Sequence, residues 1–68
     1  MYEMGEFKKT LLQEKMNQIS HLAEMIMQNT FKLCYSPDSG VNLPAAIANG
    51  AAFDIKLLAN QMSGLLRN

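Results

Sequence analysis

The sequence predicts an all-α chain: an antiparallel helical hairpin of two long helices that assembles into a helical-bundle oligomer. Three observations predict it. The first half has a helical apolar period, one proline-marked turn follows it, and the second half is a low-charge stretch with apolar residues on nearly every side of a helix.

The first helix is expected over about residues 3–34. At 100° per residue, Met4, Leu11, Leu12, Met16, Ile19, Leu22, Ala23, Ile26, Met27, Thr30, Leu33 and Cys34 fall on one face. Glu3, Glu6, Thr10, Gln13, Glu14, Asn17, His21, Glu24, Gln28 and Lys32 fall opposite. Within the apolar face, Leu12, Met16, Ile19, Ala23, Ile26, Thr30 and Leu33 alternate in steps of four and three, the pattern of a coiled-coil or bundle seam. Such a helix is a rod of roughly 45 Å at about 1.5 Å per residue.

A turn is expected over residues 35–42, "YSPDSGVN". Pro37 disfavours helical geometry at Ser36, so the first helix ends at or before that point. Asp38, Ser39 and Gly40 continue the turn chemistry. Asn42 is the expected N-cap of the next helix, and Pro44 is expected in its first turn, where a missing amide hydrogen costs nothing.

The second helix is expected over about residues 43–66. Its main stripe is Ile47, Ala48, Ala51, Ala52, Ile55, Leu58, Ala59, Met62, Leu65 and Leu66. A second stripe, Ala46, Gly50, Phe53, Leu57 and Gly64, runs along its back. A helix apolar on both sides is usually buried on both sides, and a close approach by another helix would explain Gly50 and Gly64.

One domain, residues 1–68, accommodates all of this. A chain this small buries too little apolar surface to be comfortably stable alone, so a staple or a partner is expected. Cys34 is the single cysteine, which excludes an intrachain disulfide, and one Cys with one His cannot complete a four-ligand zinc site. Self-association remains, and two hairpins forming a four-helix homodimer are the simplest closed solution.

Six Lys and Arg balance six Asp and Glu, and no basic stripe is present to neutralise a row of phosphates. Duplex nucleic acid is therefore disfavoured as a partner. The N-terminus has no signal-peptide pattern, and no apolar run approaches the roughly 20 residues that span a bilayer. The expected location is the cytoplasm.

No catalytic or cofactor signature is present, so no catalytic, metal or cofactor residues are assigned and the expectation is a non-enzyme. His21 and Glu24 stand in the reverse order of a bundle Glu-x-x-His metal motif and point outward. Cys34 is about 20 Å along the rod from His21, too far for activation as a nucleophile within one chain. Lys8 and Lys15 point onto the apolar face, where they are expected to flank the seam and pair with Asp54 or a helix C-terminus in the bundle. Their alternative role is to bind a small anionic ligand such as a nucleotide between chains, with Tyr2 or Tyr35 stacking on it. Phe7, Met25, Gly50, Phe53 and Leu57 are the candidate partner-binding residues.

A helix, a turn with "SPDS", then "PAAIA" and a closing apolar helix ending "MSGLLRN" resembles the helical-hairpin needle subunits of type III secretion, whose turn is bounded by prolines. Here four residues separate the turn from Pro44, and the closing helix is shorter. Hairpins of this size also occur among secretion co-chaperones and small phage or plasmid regulators. These motifs assign no family. The functional expectation is a small oligomeric protein-interaction or regulatory module, of inhibitor or adaptor type.

Overall fold

The computed structural model describes residues 5–67. Helix α1 runs Glu6–Phe31, a single 3₁₀ turn covers Lys32–Tyr35, and helix α2 runs Ser39–Arg67. The two helices pack side by side as a hairpin, with extents of 53 × 18 × 13 Å. No strand occurs among the described residues.

Helix α1 starts after an extended Gly5 and carries Glu6 in its first turn, where a negative charge suits the helix dipole. It ends as the proline rule requires. Ser36, just before Pro37, is extended at φ −62° and ψ 139°, and its amide closes the 3₁₀ turn on the carbonyl of Leu33 at 3.2 Å.

The connection is tighter than the sequence reading expects, and α2 begins at Ser39 rather than Leu43. Asp38, not Asn42, is the N-cap. Its carboxylate Oδ1 accepts the Gly40 amide at 2.9 Å, and its carbonyl accepts the Asn42 amide at 2.9 Å. Asn42 instead lies inside the helix and donates through Nδ2 to the Ser36 carbonyl at 2.8 Å, tying the turn together. Pro44 consequently stands in the second turn of α2, where it removes the amide that would bond to Gly40.

The seam between the helices is made of small and polar residues. Ala23, Ala45, Ala52, Ala59 and Ser63 are buried, with Ala52 only 1% exposed. Around them, Gln13, Met16, Ser20, Met27 and Thr30 of α1 and Cys34 of the 3₁₀ turn are partly covered, as are Asn42, Asn49, Lys56 and Leu66 of α2. On each helix these residues alternate in steps of three and four, so the predicted coiled-coil spacing is present. Its phase on α1 is different. The observed seam uses Gln13, Ser20, Met27 and Cys34 where the sequence reading places Leu12, Ile19, Ile26 and Leu33, which are exposed. Alanine at the contact lets the backbones come close, and the polar neighbours then bond across it.

Candidate interaction surface

The two edges of the hairpin differ in chemistry. Along one edge, polar side chains bridge the helices. Gln13 donates to the Ser63 hydroxyl. Ser20 donates to Asn60 Oδ1 at 3.2 Å, and Lys56 pairs with Glu24 at 3.6 Å. Nearer the turn, Asn49 Nδ2 donates to the Met27 carbonyl at 2.9 Å and to Thr30 Oγ1 at 3.0 Å. No described buried side-chain polar atom is left without a partner. Hydrogen bonds and one ion pair thus span this edge from end to end.

The other edge is open and apolar. A shallow groove there is lined by Met16, Ile19, Ile55, Leu58, Ala59 and Met62. At about 100° per residue from the buried alanines, Leu12, Leu22 and Ile26 extend this side on α1, and Leu65 and Ile47 extend it on α2. Leu22 is 57% exposed, Leu58 61% and Leu65 69%. Taking a large aliphatic residue as roughly 180 Å² when free, this side presents on the order of 1,000 Å² of apolar surface, well above the roughly 300–600 Å² of the largest patch on a typical monomer.

No known family, curated protein or solved structure matches this chain. The surface must therefore be read from its own chemistry. Among the described residues, no three His, Cys, Asp or Glu side chains gather as metal ligands, and no helix is long and apolar enough to cross a membrane. Burial of apolar side chains against an apolar surface is the interaction this edge offers, at about 25 cal/mol per Å² removed from water.

The residues anticipated for partner binding are all exposed, but they lie on two surfaces. Phe7, 80% exposed, and Met25 share one angle on the outer side of α1, 18 positions and roughly 27 Å apart. Gly50, Phe53 and Leu57 lie on the flank of α2 that adjoins Asn60 and turns away from Ile55 and Met62. A Cβ built on Gly50 or Gly64 meets nothing within 4 Å, so the hairpin itself makes no close approach at either glycine.

Lys8 and Lys15 are exposed near the open end of α1, on the side that carries Ile19 and Ile26. Neither they nor Asp54 make an ion pair among the described residues of the single hairpin. The cross-helix pair joins Lys56 to Glu24 instead, because both flank the seam at one level. Tyr35 is at the turn, with its ring edge-on to Phe31 at 5.3 Å, so one chain does not bring it to Lys8 at the opposite end of the rod. Tyr2 lies outside the described residues. His21 is exposed, and Cys34 donates its thiol hydrogen to the Thr30 carbonyl at 3.3 Å, as a residue at a helix end does.

Sequence reading missed Ala45, Asn49 and Ser63 as seam residues. The signal was available as two seven-residue series on α2: Ala45, Ala52 and Ala59, and beside it Asn42, Asn49, Lys56 and Ser63. A polar series keeping step with an alanine series marks a tight, hydrogen-bonded contact.

Proposed function

We propose that this chain is a small, non-enzymatic protein-interaction or regulatory module that works by presenting a helical face. One observation carries the reading: small residues fill the hairpin's own seam while its large aliphatic side chains stay exposed, most of them along one open edge. An isolated chain has no use for such an arrangement, since it leaves the strongest source of folding free energy in water. A surface that must be covered is a binding surface. Assembly of hairpins into a bundle and residence in the cytoplasm belong to the same reading.

Capture from the native host's lysate tests it. The immobilised chain is expected to retain a defined partner, itself or another protein, and the double variant Leu22→Glu, Leu58→Glu to lose it. Gln28→Glu, an exposed change at the polar edge, serves as control. Capture that is unchanged in the double variant would remove the apolar edge from the function.

A further inference from the structure

Resting on that reading, we propose that the occupant of the apolar edge is a second copy of this chain, packed edge to edge about a twofold axis so that four helices enclose one core. The argument begins with what the single hairpin lacks. The chain exposes 5428 Å², whereas a compact monomer of 7.6 kDa exposes roughly 4,300 Å². Its radius of gyration is 15.8 Å, against about 11 Å for a compact domain of this length. The excess area is close to the apolar area of the open edge.

The identity of the occupant follows from how constantly it is needed. No described large side chain is fully buried, so the single hairpin has an alanine seam but no enclosed core. Whatever supplies the rest of the core must be present whenever the chain is folded. A second copy always is, and obligate homodimers commonly have no stable folded monomer.

Area and charge agree with this choice. Two such edges together remove on the order of 2,000 Å² from water, the upper end of the range for stable protein pairs. Along this side the charges are Asp54, one heptad after Ile47 on α2, and Lys8 and Lys15 towards the open end of α1. All three are exposed, and the long side chains of Lys8 and Lys15 reach water past the border of the apolar residues. None of the three lines the groove of Met16, Ile19, Ile55, Leu58, Ala59 and Met62, so its centre can meet its own copy without enclosing a charge. Twofold symmetry lets the ridges at Leu22 and Leu58 of one chain flank the groove between Ile19 and Ile55 of the other.

Sedimentation equilibrium of the purified full chain gives the mass directly. Two chains, about 15 kDa, are expected at micromolar concentration from a 7.6 kDa polypeptide. The Tm of the wild type is expected to climb by several degrees over a hundredfold rise in concentration, a readout needing no variant. Ile19→Glu and Leu58→Glu, separately, should abolish the dimer, while Gln61→Glu on the exposed outer face of α2 should leave it intact. A folded chain of single mass with a concentration-independent Tm would overturn the second copy as occupant. It would leave the interaction reading standing if lysate capture still depended on Leu22 and Leu58. A dimer that survives both Ile19→Glu and Leu58→Glu, or a mass above two chains, would equally overturn the proposal.

Discussion

Asn49 of α2 donates an amide hydrogen to Thr30 Oγ1 of α1 at 3.0 Å, and Thr30 in turn donates its hydroxyl to the Ile26 carbonyl at 2.8 Å. The second amide contact, to the Met27 carbonyl at 2.9 Å, locks the same side chain to the α1 backbone. This relay fixes the register of the two helices close to the turn.

Asn49→Ala is therefore expected to lower unfolding stability by about 1–2 kcal/mol, the usual cost of deleting a partly buried hydrogen-bonding group. Thr30→Val should cost about 1 kcal/mol, and the double variant less than the two combined because the groups share one bond. Urea titrations of the four chains at one fixed concentration measure the coupling. Strict additivity would show that the relay contributes no joint stability.

The turn offers a separate handle. Asp38 accepts the Gly40 amide with its side chain and the Asn42 amide with its carbonyl, so the start of α2 depends on one residue. Asp38→Ala should reduce stability by about 1 kcal/mol. Asp38→Asn keeps an acceptor and should fall by less. Circular dichroism on thermal unfolding separates the two, and equal losses would mean that the carboxylate's charge at the helix N-terminus, rather than its hydrogen bond, is what counts.

The fold class, the two helices and the alternation of three and four along the seam were legible in the sequence, because apolar periodicity and Pro37 speak through local chemistry. The phase of the α1 seam was not. Reading Ile19 and Ile26 as its centre assumes that the most apolar residues face the nearest helix. Here Ser20, Ala23 and Met27 face α2, and the bulkier side chains are left to the open edge. No property of one helix alone decides between those rotations; the deciding fact is that Asn49, Lys56 and Asn60 across the seam need polar partners. The start of α2 was misplaced for a similar reason, since Pro44 suggested a first turn while Asp38 had already begun one.

Ala52 tests whether smallness at the seam is a requirement. It is 1% exposed, and a larger side chain there must push the helices apart. Ala52→Leu should destabilise by about 1–3 kcal/mol although it is more hydrophobic, and Ala59→Leu should do the same. The bonds at Asn49 and Lys56 would open with the seam, so a chemical-shift change at Thr30 and Glu24 is expected in the NMR spectrum. An increase in stability would mean that the seam is underpacked rather than closed.

The last prediction concerns the flank of α2 that neither the hairpin nor the proposed dimer covers. Gly50 and Gly64 stand there with no atom within 4 Å of an added Cβ. Gly50 is exposed and Gly64 half-covered, and replacing a helical glycine by alanine where the space is open gains about 1 kcal/mol from backbone entropy. Gly50→Ala and Gly64→Ala should each raise Tm by a few degrees without altering mass. If another helix instead approaches this flank closely, as the run of Gly50, Phe53 and Leu57 would allow, the new methyl groups would obstruct it. Assembly or partner capture would then fall while the isolated hairpin unit became more helical. Comparing mass, capture and helicity in the same two variants decides between a flank that faces water and one that faces a further chain.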